Sequence, residues 1–172
     1  MNRKRRIYAL AVIGLLIIAA LILLPDASTP EEKIEQAISS RDDSFVKLIH
    51  VETNEPYTYA FYRNQKQSAG LALLHVKNDD EIHVFGSIPT HQSSNGFSYG
   101  TGESQQLDQY VMYGLITNPQ ISRVDVSGEK AALVPGELDT LWYYISSQPF
   151  TSAEITAENQ SGQVIFQKQL YK

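Results

Sequence analysis

The sequence predicts a mostly β, α+β fold that follows an N-terminal transmembrane helix. Three observations predict it: an uncharged apolar run at residues 7–24, a helix-start signal at Thr29, and short runs with a two-residue hydrophobic period from residue 44 onward. Because side chains alternate in strands and recur every 3.6 residues in helices, the change of period indicates one helix followed by many strands. About 145 residues follow the apolar run, enough for one ordinary domain or two small ones.

The apolar run IYALAVIGLLIIAALILL contains no charged residue. As a helix it would be about 27 Å long, close to the hydrocarbon core of a bilayer at about 30 Å. Residues 1–6 contain three arginines and one lysine, so the positive-inside rule predicts a cytoplasmic N-terminus and an extracytoplasmic C-terminal domain. The sequence therefore predicts a single-pass protein of the cell membrane, with residues 25–29 as a linker.

A cleaved signal peptide is the alternative reading of this run. Its apolar region is usually about 7 to 15 residues long and ends at a small-residue cleavage site. Cleavage after Ala27 or Ala20 would place Pro25 or Ile18 three residues before the cut, where a small residue is preferred. These positions favour an uncleaved signal anchor.

Charge and cysteine content exclude several classes of function. The chain has a net charge of −5 and residues 1–6 contribute +4, so the remainder carries −9. An acidic exterior without a basic stripe argues against nucleic acid and against anionic lipid headgroups as partners. The absence of cysteine excludes disulfides and thiolate chemistry, and disulfide-free exported domains are common in Gram-positive bacteria.

Residues 30–88 are predicted to form one helix and an antiparallel meander. Thr29 can cap the helix, Pro30 suits its first position, and Glu32 completes a capping box. Three apolar residues then share one helix face: Ile34, Ala37 and Ile38. Four β-rich runs follow, separated by NEP, NQKQ and NDD: SFVKLIHVET, YTYAFYRN, SAGLALLHVK and EIHVFGSI. We expect the helix to cover one face of this sheet.

Residues 89–109 are almost devoid of aliphatic side chains and are predicted to form a polar Gly/Ser loop. Within it, GFSYG at residues 96–100 matches the G-x-S-x-G pattern of serine hydrolases. That pattern needs an apolar strand before the serine, whereas THQSSN precedes it here, and all four histidines precede Ser98. The match is therefore interpreted as chance.

The same loop is predicted to be a contact surface. Phe97 and Tyr99 alternate among Ser, Gly and Asn, a composition typical of binding loops. Exposed rings at these positions would act as anchors for a partner. The alternative is that Phe97 folds back and fills the seam between the two β units.

Residues 110–172 are predicted to form a β-sandwich-like unit. Six short runs follow one another at intervals of about ten residues, with turn residues between them: YVMYGLIT, ISRVDV, KAALV, LWYYIS, SAEITAE and QVIFQKQL. The first could instead extend a short helix, because Leu107, Tyr110 and Val111 have helical spacing.

A basic start, one membrane span, a capped helix and a β-rich domain containing GLITNPQISRVDV and ITAENQSGQVIFQK together resemble a group of small exported proteins of Gram-positive bacteria. That resemblance implies an extracytoplasmic location and a β-rich architecture. It implies no particular activity.

His75 and His83 are the candidate metal ligands, because they flank the NDD turn. If residues 78–80 form a three-residue loop, His75 lies directly opposite His83 with Cβ atoms about 5 Å apart on one face. A two-residue loop shifts the register by one and sends the two side chains to opposite faces. His50 or Glu81 would have to supply a third ligand.

No catalytic constellation or cofactor motif stands out: YGTGES lacks the third glycine of a dinucleotide loop, and there is no P-loop lysine. The sequence therefore favours a non-enzymatic, membrane-anchored binding or accessory protein of the bacterial cell envelope, with another envelope protein as its partner. A metal-dependent envelope enzyme and a small-ligand sensor domain are the alternatives. A six-residue cytoplasmic tail is too short for a signalling domain, which argues against the sensor.

Overall fold

The computed structural model describes residues 29–75, 78–88 and 95–171. The predicted cytoplasmic tail, the predicted transmembrane segment 7–24 and most of the predicted linker lie outside these ranges. Within them, no helix has both the length and the apolar content needed to span a membrane. The chain divides into two compact units between Lys33 and Ile34, and every sheet belongs to the second unit.

Helix α1 spans Pro30–Ser39 and begins at the predicted capping box. The Glu32 backbone N–H donates to Thr29 Oγ1 at 3.2 Å, and the Thr29 N–H donates to Glu32 Oε2 at 2.7 Å. These two bonds satisfy backbone donors that a helix start leaves without intrahelical partners.

The described residues form one helix and three antiparallel four-stranded sheets, so the prediction of a mostly β, α+β fold is confirmed for this part of the chain. Sheet A has the order β1 (Phe45–Asn54), β2 (Tyr57–Asn64), β3 (Ala69–His75), β4 (Asn78–Ile88). Sheet B has the order β5 (Gly100–Ser104), β6 (Gln109–Ile116), β10 (Thr140–Ser146), β9 (Ala132–Pro135). Sheet C has the order β12 (Val164–Tyr171), β11 (Ser152–Glu158), β7 (Arg123–Val126), β8 (Glu129–Lys130).

Sheet A is covered on both faces. Ile38 of α1 is fully buried against residues that alternate along β2 and β3, such as Tyr62 and Ala72. The residues between them, such as Phe61 and Leu71, face sheet B and pack on Tyr113 and Leu141 and their neighbours. The expected helix-on-meander arrangement is present, and the meander also carries a second sheet on its other face.

Sheet B lies between sheets A and C. Alternate residues of β6 and β10 face the two neighbours: Val111 and Leu141 belong to the core shared with sheet A, and Met112 and Trp142 to the core shared with sheet C. A strand covered on both faces is apolar at successive positions rather than at alternate ones. This explains why YVMYGLI reads as one continuous apolar run, and it confirms the strand interpretation over the helical one.

Sheet C closes the far side of sheet B. Its strand β11 alternates as predicted, with Ala153, Ile155 and Ala157 buried. Strands β7 and β8 are joined by Ser127 and Gly128, both with positive φ, as a two-residue hairpin turn requires.

Some predicted segments differ from the structure. The run KAALV divides, because Lys130 ends β8 in sheet C whereas Ala132 begins β9 in sheet B. Buried Ala131 is the corner between the two sheets. Within the predicted loop 89–109, residues 100–104 form strand β5 and Gln109 begins β6.

Candidate functional site

The segment GFSYG continues β5 alongside β6. Phe97 pairs with Ile116, and Gly100 pairs with Tyr113 in the same register. The Ser98 Oγ accepts a hydrogen bond from the Leu115 N–H at 2.9 Å and donates to the Leu115 carbonyl at 3.1 Å. Ser98 is buried, with 6 % of its surface exposed, so its hydroxyl serves the backbone. This geometry agrees with the interpretation of G-x-S-x-G as a chance match.

The backbone of Ser98 is fixed as well. Its carbonyl accepts a hydrogen bond from Trp142 Nε1 at 2.8 Å. At Gly114 a Cβ atom would lie 1.9 Å from that carbonyl oxygen, so only glycine lets the segment approach β6 this closely. Ser98 and Gly114 together hold the segment against sheet B.

The expectation that Phe97 is exposed is wrong. Only 3 % of Phe97 is exposed, and its ring stacks on Trp142 with centroids 5.2 Å apart and packs on Phe166 at 4.7 Å. Burying an aromatic ring between two sheets is worth more than leaving it in a polar loop. Phe97 therefore folds back into a core, as the alternative proposed, but that core lies between sheets B and C and not between the two predicted β units.

Tyr99, the second predicted contact residue, lies beside a cleft. Its ring is half-buried and packs on Phe166 with centroids 6.0 Å apart. The cleft has a volume of ≈ 210 Å³. Its lining combines strand β5 with side chains near and on sheet C: Tyr99, Gly100, Thr101, Gly102, Glu103, Phe150 and Leu170.

The backbone of β5 borders this cleft. In the described part of the chain, β5 has a hydrogen-bonded strand on one side, β6. The Ser98 N–H donates to the Leu115 carbonyl, and the register continues unchanged from there to Ser104. Since backbone groups in an antiparallel strand point alternately to either side, Gly100 and Gly102 face β6 and Thr101 points its N–H and C=O outward.

The opposite face of β5 is closed. At Gly102 a Cβ atom would lie 2.6 Å from the Phe85 ring of sheet A. Strand β5 is therefore pressed against sheet A on one face and presents Tyr99 and exposed Thr101 on the other. A ligand could reach both the cleft and the outward backbone groups of this strand.

The predicted histidine pair is not directly opposed. His83 pairs with Leu73, and His75 pairs with Asn78, because β4 already begins at Asn78 and carries an irregularity before Ile82. The condition for direct opposition, a three-residue loop of residues 78–80, is not met, because these residues belong to β4. The His75 ring contacts Tyr57 and the His83 ring contacts Phe85. Among the described residues, no group of three or more His, Asp or Glu side chains is arranged to hold a metal ion.

A different histidine lies in a polar cluster at the seam between sheets A and B. His50 Nε2 lies 3.5 Å from Glu52 Oε2, and the Tyr143 hydroxyl donates to the same Glu52 oxygen at 3.1 Å. Burial, together with the hydrogen bond to and charge of Glu52, raises the pKa of Tyr143 to about 12, so this hydroxyl keeps its proton at neutral pH. His50 and Glu52 are two apart on β1 and so share a strand face, a signal that HVE carried in the sequence.

No protein-family model, curated protein or solved structure matches this chain. The resemblance to exported Gram-positive proteins stays a prediction. Sequence reasoning found Tyr99 but missed Phe150 and Leu170, because nothing in their local sequence indicates that β12 lies near β5.

Proposed function

We propose that this chain is a membrane-anchored, extracytoplasmic binding protein that takes up an extended peptide segment of another envelope protein along strand β5. The observation that carries the proposal is the ≈ 210 Å³ cleft bordered by the outward backbone of an edge strand. The location rests on the predicted anchor at residues 7–24 and the basic residues before it.

An extended peptide would use both features of this site. Its backbone would add a strand to sheet B by bonding to the N–H and C=O of Thr101, and alternate side chains would point toward the cleft. Tyr99, Phe150 and Leu170 supply an apolar wall there, suited to one aliphatic or aromatic side chain. Such recognition takes its affinity from the main chain and its specificity from the pocket.

Charge favours a basic peptide. The chain after residue 6 carries a net charge of −9, and Glu103 lies in the cleft lining. Electrostatic complementarity of this kind raises association rates and makes them sensitive to salt. We therefore expect ligands that combine an apolar anchor with flanking Lys or Arg.

The experiment selects peptides from a displayed random library on the wild-type chain and measures their affinity for two variants. Thr101→Pro removes the outward N–H, and a proline is tolerated at this edge because that N–H is not part of the β5–β6 ladder. Thr101→Ala changes the same side chain and keeps the N–H. Strand addition predicts at least about a tenfold loss of affinity for Thr101→Pro and little change for Thr101→Ala.

Two further measurements make the outcome decisive. Circular dichroism and thermal unfolding check that Thr101→Pro is folded, and Tyr99→Ala tests the cleft without touching the edge backbone. Peptides that bind Thr101→Pro as well as they bind wild type would contradict strand addition. Binding of a small molecule in the cleft that survives Thr101→Pro would favour the sensor alternative instead.

A further inference from the structure

Strand β1 carries two metal-compatible side chains at the edge of the stack opposite β5. His50 and Glu52 project from one face of β1, and the cluster is completed by Tyr143 of β10. The His50 side chain is 27 % exposed and that of Glu52 is 42 % exposed, so an ion and its water ligands can reach both. This position is separate from the cleft, because none of the residues that line the cleft belongs to β1.

The two donor groups are held by their surroundings. The His50 ring stacks on Phe61 at 6.2 Å and on Tyr143 at 5.7 Å. The Tyr143 hydroxyl donates to the Glu52 carboxylate and lies 3.4 Å from His50 Nε2. Hydrogen bonds that orient a ligating carboxylate are a regular part of metal sites and reduce the entropy lost on binding.

We propose that His50 Nε2 and Glu52 Oε2 bind a divalent transition-metal ion, with solvent completing its coordination. Zinc forms bonds of about 2.0 to 2.2 Å to nitrogen and oxygen, so two ligands of a tetrahedral ion lie about 3.4 Å apart. The observed separation of the two atoms is 3.5 Å. That distance is long for a direct hydrogen bond but fits an ion bridging the pair.

The donor set also selects the class of ion. One imidazole and one carboxylate suit Zn²⁺, Ni²⁺ and Cu²⁺ better than the hard cations Ca²⁺ and Mg²⁺, which prefer oxygen alone. With two protein ligands the site is open, and its affinity is expected to be far below that of a four-ligand structural site.

The test titrates the full-length chain, purified in detergent, with zinc ions and follows binding by calorimetry and by the shift of the thermal midpoint. We expect one zinc ion per chain in the wild type. His50→Ala and Glu52→Gln should each weaken binding at least about tenfold. His83→Ala is the matched control, since His83 is an exposed histidine of the same sheet, and it should bind as the wild type does.

Glu52→Gln keeps the stacked His50 ring and the shape of the carboxylate, so a loss of binding in that variant does not depend on a loss of folding. No zinc binding by the wild type up to millimolar concentration would overturn the proposal. So would unchanged binding by a folded Glu52→Gln or His50→Ala variant, or a loss of binding in His83→Ala.

Discussion

The two faces of sheet B are held in different ways. Toward sheet A, several polar side chains form contacts between the two sheets. Arg63 forms an ion pair with Asp139 at 2.9 Å. The Tyr113 hydroxyl donates to the Gly86 carbonyl at 3.0 Å, and the Tyr143 hydroxyl donates to the Glu52 carboxylate. Toward sheet C, the buried seam consists of aromatic and aliphatic side chains centred on Trp142. The hydrogen bond that the Tyr144 hydroxyl of sheet B donates to the Glu129 carboxylate of sheet C lies at an exposed position.

The two seams therefore stabilise the fold in different ways, one through directional polar contacts and the other through burial of apolar surface. Directional polar contacts fix the position of sheet A relative to sheet B, and they place titratable groups at the edge of that seam. Burial without direction holds sheets B and C together, and the Phe97 segment that fills their seam also places Tyr99 and β5 at the cleft. The four predictions that follow test this contrast, from the largest expected effect to the smallest.

Removing an aromatic ring from the seam between sheets B and C should cause the largest loss in the free energy of unfolding. Phe97→Ala removes a ring that is 3 % exposed and stacked on Trp142, so we expect a loss of about 3 to 5 kcal/mol in the free energy of unfolding. Tyr99→Ala, two residues away and half-buried, is the control and should cost clearly less. Chemical denaturation of both variants measures the difference, and equal costs would argue against a seam role for Phe97.

Breaking the ion pair should be the next largest effect. Asp139→Asn leaves the Arg63 guanidinium with 13 % of its side chain exposed and no carboxylate, at an expected cost of about 3 kcal/mol. Replacing both residues together, as in Arg63→Met with Asp139→Leu, should restore part of that loss. A double variant no more stable than Asp139→Asn would mean that packing, and not an uncompensated charge, sets the cost.

Removing the serine hydroxyl should cost less. Ser98→Ala leaves the buried Leu115 N–H without its acceptor, for an expected loss of about 1 to 3 kcal/mol. Ser98→Thr, which keeps a hydroxyl, is the comparison variant. If Ser98 were a nucleophile instead, Ser98→Ala would leave stability unchanged and abolish labelling by a fluorophosphonate probe of the wild type.

Alkaline pH should gradually lower the free energy of unfolding, because buried tyrosines of the seam between sheets A and B ionise more readily in the unfolded chain. Burial raises the pKa of Tyr59 to about 12, and the pKa of Tyr143 is raised similarly, above the ordinary value of 10.0. Between pH 10 and 12 the unfolded chain loses these protons while the folded chain keeps them, so stability is complete below pH 10 and falls as the pH rises through this window. Denaturation at pH 9 and pH 11 measures the fall, and Tyr59→Phe should make it smaller. An equal fall in Tyr59→Phe would assign it to other groups.

The sequence predicts local features of the fold correctly but does not predict the contacts between sheets. The capping box at Thr29 and the alternation of Ala153, Ile155 and Ala157 are local, and both are confirmed. Strand β5 escaped prediction because GTGES has no apolar side chain to bury, and it is a strand because β6 pairs with it. The predicted exposure of Phe97 is wrong for a similar reason, since its partner Phe166 lies about 70 residues away in the sequence.

The candidate sites follow the same division. Tyr99 is predicted from the Ser, Gly and Asn content of its segment. Its neighbours in the cleft come together only because sheet C packs near β5. His50 and Glu52 are two residues apart on one strand, but Tyr143 approaches them from the neighbouring sheet B. Contacts between sheets depend on topology, which short hydrophobic patterns do not encode.

Amide hydrogen exchange along β5, measured by NMR with and without a saturating selected peptide, tests peptide binding most directly. In the unbound chain the Gly102 amide, which faces β6, should exchange slowly, and the outward Thr101 amide should exchange quickly. We expect the peptide to slow exchange at Thr101 at least about tenfold and to leave exchange at Gly102 nearly unchanged. A Thr101 amide that exchanges just as fast in the complex would contradict strand addition at β5.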